Sequence, residues 1–188
     1  MDRRNFLKRS AQKTAEHAIE TVEARVNERA RRWIRPPFAI AELDFLLGCT
    51  RCGDCIEACP HDVIFPLKNS LGADVAGTPA LDLNNKACQL CDDWPCVTSC
   101  KPGVLLIVDT EEKVAPLPHL AKIHINTETC LPYQGPECGA CEGCCPVEGA
   151  LIWKDFKPVI NQEMCTGCAQ CRHACVMQPS AIQVESHG

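Results

Sequence analysis

The sequence predicts an α+β fold in which a unit of strand, cysteine loop, helical turn and strand recurs four times behind an N-terminal amphipathic helix. Three observations carry this. Cysteine makes up 17 of 188 residues. From Cys49 onward the cysteines fall into four groups, and the residues flanking the groups repeat with them.

The N-terminal element comes first. From Ser10 to Arg35 there is no Pro or Gly, and Ala15, Ile19, Val22, Val26, Ala30 and Trp33 recur at helical spacing among charged residues. Arg35-Pro36-Pro37 should end this helix, because proline disfavours helix at the residue before it and lacks an N–H. Residues 1–35 therefore read as a basic helical segment and residues 36–188 as the cysteine-rich domain. Within residues 10–35 the stripe suits packing on its own domain, docking to a partner, or peripheral contact with a membrane surface.

The four groups are Cys49, Cys52, Cys55 and Cys59; Cys88, Cys91, Cys96 and Cys100; Cys130, Cys138, Cys141 and Cys145; and Cys165, Cys168, Cys171 and Cys175. An aliphatic-Asn pair precedes three of them, with Asn84, Asn126 and Asn161 each four residues ahead of the first cysteine. A short apolar run follows each: Val63 to Phe65, Val104 to Val108, Ala150 to Trp153, and Ala181-Ile182 with Val184. These runs read as strands. A repeat that includes its flanks is far harder to reach by chance than a bare Cys-x-x-Cys.

Cys49-x2-Cys52-x2-Cys55-x3-Cys59-Pro60 matches the bacterial ferredoxin run, in which three cysteines hold one [4Fe–4S] cluster and the fourth ligates its neighbour. The fourth group has the same spacing with Val176 in place of proline. The second widens one gap, and the third begins early at Cys130. Sixteen thiolates serve four [4Fe–4S] clusters and leave one cysteine over. Cys138-x2-Cys141-x2-Cys144 is itself a triplet, which makes Cys130 the spare. Cys145-Pro146 looks like a fourth position, which makes Cys144 the spare, and this second reading is favoured. His61 and His173 flank ligands, and Arg51 and Arg172 lie inside cysteine loops, where they read as solvated side chains.

Other classes fit less well. Structural zinc also uses four-cysteine sites, but rarely a triplet followed by Cys-Pro and strand flanks. A disulfide framework belongs to secreted chains. Residues 36–188 carry nineteen acidic and nine basic residues, which argues against nucleic acid and suits a basic redox partner. No stretch approaches the roughly 20 apolar residues of a membrane span. No nucleotide loop or catalytic triad is apparent, so the chain reads as an electron carrier without its own substrate site.

Arg35-Pro36-Pro37, Asp44-Phe45-Leu46, Cys88-x2-Cys91-Asp92-Asp93-Trp94-Pro95-Cys96 and Cys130-Leu131-Pro132-Tyr133-Gln134-Gly135 resemble the ferredoxin-type accessory proteins of the NapF, NapG and MauM types. The resemblance covers about residues 35 to 188. It implies a tandem bacterial-ferredoxin-like fold, two units of two [4Fe–4S] clusters each, with Cys130 and Cys145 among the ligands. It also implies electron relay to a molybdenum enzyme such as a nitrate reductase, or help in that enzyme's maturation. Membrane quinol-oxidising subunits are the other partner class. Related four-cluster subunits imply that the first motif shares clusters with the fourth and the second with the third, while sequential pairing stays open.

Asp2-Arg3-Arg4-Asn5-Phe6-Leu7-Lys8 fits a twin-arginine export motif, but polar and charged residues follow where such signals carry an apolar stretch. The expectation is cytoplasmic retention, at the inner face of the membrane; the alternative is twin-arginine export to the periplasm. Metal analysis of protein purified without oxygen should return iron and sulfide in equal amounts, whereas stoichiometric zinc without sulfide would make this a structural zinc protein.

Overall fold

The computed structural model describes residues 17, 19–107 and 117–187; the twin-arginine motif lies outside them. Six short strands form three antiparallel pairs, and short helices mark the cysteine loops.

Helix α1 covers residues 19–30 and stops before Arg35, the expected end. The chain turns there because Trp33 and Ile34 leave the helix for the interior, where Ile34 bridges to Leu81. Only the last turn of the expected stripe is covered: Ala30 and Trp33 are buried, whereas Ile19 and Val22 are exposed. Arg29 holds this end down through paired contacts to the Asp74 carboxylate at 2.6 and 3.1 Å and through the Leu71 carbonyl. The guanidinium lowers the Asp74 carboxyl below its usual range.

Each half then folds two cysteine motifs around an inner strand pair, closed by an outer contact that is an isolated bridge in the first half and a strand pair in the second. Strands β1 (Ile64–Pro66) and β2 (Pro79–Leu81) lie between the first and second motifs and pair with each other. The chain before the first motif meets the chain after the second, as Ile40 N–H donates to the Val104 carbonyl and Leu106 N–H to that of Phe38. In the second half, β3 (Ala121–Ile125) precedes the third motif and pairs with β6 (Ile182–Ser186) after the fourth. Between those motifs, β4 (Leu151–Lys154) and β5 (Lys157–Ile160) form a hairpin. Its two-residue turn, Asp155-Phe156, has positive φ at both positions, the geometry that matches strand twist.

Three of the four apolar runs thus become strands. The run from Val104 contributes only an isolated bridge, Ala39 to Leu105, and Val108 lies outside the described residues.

Arg35 is the knot of the first half. It is partly buried and pairs at 2.6 Å with the buried Glu42, the first residue of α2 (Glu42–Gly48). Arg35 also donates to Thr78 Oγ1 and the Pro79 carbonyl, and Trp33 Nε1 donates to the same carboxylate. The guanidinium stacks 4.5 Å from the fully buried Phe45 ring. This network ties the end of α1, the helix leading to Cys49 and the start of β2 together. Removing one member strands a buried charge, which typically costs about 3–5 kcal/mol. Glu42→Ala should therefore lower the temperature at which the visible iron–sulfur absorbance bleaches far more than Asp74→Ala does at the exposed pair.

Candidate iron–sulfur centres

Two small cavities each collect four cysteines from two motifs. One is lined by Cys49, Cys52, Cys55 and Cys100, beneath Val104 and Leu105. The other is lined by Cys130, Cys138, Cys141 and Cys175, beside Trp153 and Pro158. The remaining triplets show the reciprocal arrangement. Cys59 lies close enough to Cys88, Cys91 and Cys96 for its charge to raise all three thiols. Cys145 acts in the same way on Cys165 and Cys168, and Cys144 on Cys171.

Cysteines are therefore shared between the first and second motifs and between the third and fourth. The implied pairing of first with fourth and second with third is corrected. The reason lies in the strands: β1–β2 and β4–β5 fold each motif back onto the next one along the chain.

The local backbone explains the spacing. In the first, second and fourth motifs the residue before the second cysteine has positive φ: Arg51, Leu90 and Gly167. The residue two before the third cysteine has it too: Gly53, Trp94 and Ala169. These last three also cap the short helices α3 (Asp54–Glu57), α4 (Pro95–Thr98) and α6 (Gln170–Ala174). Two left-handed residues in one loop curl the chain so that three sulfurs face one centre. The extra residues of the second motif are accommodated before Trp94, which is buried edge-on against Phe38 at 4.9 Å. The third motif is built differently, with α5 (Leu131–Gln134) inserted directly after Cys130.

The recurring Asn has a task. Asn126 Oδ1 accepts from Glu128 N–H and its carbonyl from Cys130 N–H; Asn161 does the same for Glu163 and Cys165. Each turn presents the first cysteine. Ahead of Cys88 the role passes to Asp82, whose carbonyl accepts from Asn85 and Lys86 N–H. Asn84 instead offers its carbonyl to Arg172. Arg172, expected to be solvated, also donates to the Ile182 carbonyl. Arg51 donates to the carbonyls of Asp74 and Ala76. Both arginines therefore brace loops.

The donor set fits [4Fe–4S] clusters. Thiolates are soft ligands for iron–sulfur centres. The sulfurs surround each cavity without meeting at a point: among the described residues, no three His, Cys, Asp or Glu side chains close on a single-ion site. Burial, with neighbouring thiolates adding to it, pushes Cys55 and Cys141 up to about 11 and Cys96 up to about 12. Burial also raises Cys88 to about 11, against an opposing backbone hydrogen bond. Thiols held this high are protonated at neutral pH, so taking up metal releases protons. Cys175 is the exception. Burial raises it, but the Ser180 hydroxyl and the N–H groups of Met177, Ala181 and Ile182 outweigh that and lower it. Sequence spacing did not reveal these donors, nor Trp153, which reads there only as part of an apolar run.

Cys144, which the favoured reading leaves over, lies among cysteines of the third and fourth motifs. Cys144 Sγ donates to the Cys141 carbonyl at 3.0 Å, and it lies beside both Cys145 and Cys168.

A family model described as a 4Fe-4S dicluster domain matches residues 48–104, which hold the first two motifs. The methylamine utilization ferredoxin-type protein MauM of Methylobacillus flagellatus is 37% identical over 164 residues, covering 80% of this chain and 67% of that protein. The ferredoxin-type protein NapG of Haemophilus influenzae is 34% identical over 166 residues, covering 80% of this chain and 58% of that protein. The ferredoxin-type protein NapF of Escherichia coli K12 is 30% identical over 162 residues, covering 84% and 87% respectively. The chain thus spans less than two thirds of the Haemophilus protein. No solved structure matches.

Gly167 offers a test of the fourth loop. It has φ +73°, and a Cβ there would clash with the backbone of Ala121 in β3. Gly167→Ala should displace β3 from the loop and lower iron per chain by about one cluster's worth, whereas Gly103→Ala, which shares the left-handed φ (+71°) but has open space around it, should cost only about 1–2 kcal/mol of backbone strain and leave the iron content unchanged.

Proposed function

The chain belongs to the family of ferredoxin-type proteins that includes the NapG and MauM types, and from that premise we propose that it carries four [4Fe–4S] clusters and relays single electrons. The observation that carries the proposal is the convergence of four cysteines from two motifs on one small cavity, seen once in each half. Cys49, Cys52, Cys55 and Cys100 hold the first cluster, and Cys88, Cys91, Cys96 and Cys59 the second. Cys130, Cys138, Cys141 and Cys175 hold the third, and Cys165, Cys168, Cys171 and Cys145 the fourth. The halves are then two dicluster units in tandem behind α1. Cys144 and Cys145 both lie beside this triplet; Cys145 is preferred because it is followed by Pro146, as Cys59 is by Pro60.

When bound, the clusters supply one-electron redox chemistry at potentials tuned by hydrogen bonds and burial. The chain's own part is to hold them in sequence. Cys88 N–H donates to the Cys168 carbonyl at 2.9 Å, and Gln170 Nε2 donates back to the Cys88 carbonyl. This seam supports an order of first, second, fourth, third, with the first and third clusters at the outer ends. Around the third, Glu128, Glu137, Glu142 and Glu148 are exposed, and no Lys or Arg lies between His124 and Trp153. Such a surface suits a basic redox partner.

The partner proposed is an oxidoreductase such as a molybdenum-dependent nitrate reductase, and the protein itself is an electron-transfer subunit without its own substrate site. The location proposed is the cytoplasm, at the inner face of the membrane. Among the described residues no helix is long and apolar enough to cross a membrane. A second reading, a cytoplasmic maturation factor that binds the apo-molybdoenzyme, is favoured by Ile19 and Val22, which α1 leaves exposed for a partner.

Purification of the tagged protein without oxygen from its own host separates the two. Membrane quinol-oxidising or other redox subunits should co-purify with an electron relay; a molybdoenzyme precursor still carrying its export signal would establish the maturation role. On the same sample, Cys145→Ser should perturb the cluster signals and Cys144→Ser should not; the reverse result would exchange the two assignments.

A further inference from the structure

We propose that Trp153 is a tuning residue of the third centre, donating its indole N–H to a cluster sulfur in the cavity formed by Cys130, Cys138, Cys141 and Cys175. The inference rests on the cluster assignment above and adds a residue that no cysteine spacing identifies.

Two independent observations meet at this side chain. Trp153 Nε1 is the one side-chain nitrogen or oxygen among the described residues that is buried without any hydrogen-bond partner. A buried donor left unpaired costs about 1–3 kcal/mol, so native structures almost always supply an acceptor. The same side chain lines the four-cysteine cavity, together with Pro158 and Ile182. Cysteine sulfurs are the acceptors the chain brings to that cavity, and a bound cluster adds its own sulfides. An indole N–H is a donor only, so a sulfur-rich anionic centre is the kind of group that satisfies it.

The position is well held. Trp153 lies in β4, paired with Pro158 in β5. Tyr133, from the helix inserted after Cys130, donates through its hydroxyl to the Pro158 carbonyl at 2.9 Å. The inserted helix and the hairpin therefore brace the wall that carries the indole. Hydrogen bonds to cluster sulfurs stabilise the more negative, reduced state and raise the reduction potential.

The test compares Trp153→Phe with the unchanged protein, full length and loaded with iron. The Phe variant keeps a ring against the cavity and removes the N–H. Iron and sulfide per chain should stay the same, and one of the cluster potentials should move downward. Pulsed EPR of the reduced protein in deuterium oxide should lose one exchangeable proton coupling, on the same signal that Cys175→Ser perturbs. An unchanged potential with the coupling retained would overturn the proposal. A loss of iron in Trp153→Phe would also overturn it, by showing a packing role, and Trp153→Tyr would confirm that outcome if it restored the iron without the coupling. Unmodified protein without iron would instead defeat the cluster assignment itself.

Discussion

The exchange of one cysteine between neighbouring motifs is the constraint from which the rest of the molecule follows. A triplet curls locally, but its cavity is closed by a cysteine from the next motif: Cys100 for the first and Cys175 for the third. Neither motif of a pair can be completed alone. The chain between them must fold back, and it does so through β1–β2 and β4–β5. The outer contacts, Ala39 to Leu105 and β3 to β6, then close each half around its two centres. With few large aromatic residues to bury, the chain needs this arrangement, because thiolate–metal bonds become part of its folding free energy.

The halves share a plan but differ in how they resist opening. The second half has a tight hairpin and a five-residue outer pair. The first has a long loop between its inner strands and a single outer bridge. It makes up the difference with side chains. Arg35 and Glu42 join the end of α1, the approach to Cys49 and the start of β2 in one buried network. A buried ion pair is a poor way to gain stability but an effective way to define a single arrangement, since every alternative strands a charge. The consequence for function is that α1 is anchored at one end to the body while Ile19 and Val22 stay open to solvent.

Electron transfer places a further demand, since tunnelling falls steeply with distance. The contact between Cys88 and Cys168 puts the second and fourth motifs back to back. The path proposed from it runs out of chain order, and its outer ends differ in surroundings. Cys52, the one exposed cysteine, belongs to the first centre, while the stretch between His124 and Trp153 at the third carries exposed glutamates and no Lys or Arg.

Much of the site was legible beforehand because a cysteine triplet is a local object. Spacing, the Asn turn and the apolar run after each motif act within a dozen residues, and the observed strands fall where the runs at Val63, Ala150 and Ala181 placed them. Even so, the repeat does not carry over to Asn84, because Asp82 makes a carbonyl-to-amide turn from two residues earlier. The stripe of α1 was read as one face, yet only Ala30 and Trp33 find a surface to cover. By itself the sequence determined how many thiols there are, which three sit together in the first, second and fourth motifs, and what chemistry soft donors in that pattern support. Tertiary structure alone decided which fourth cysteine joins which triplet, where the two halves touch, and that an indole N–H faces no partner beside the third centre. Those depend on strand pairing between distant segments and on the packing of side chains against one another, and neither leaves a periodic mark in the order of residues.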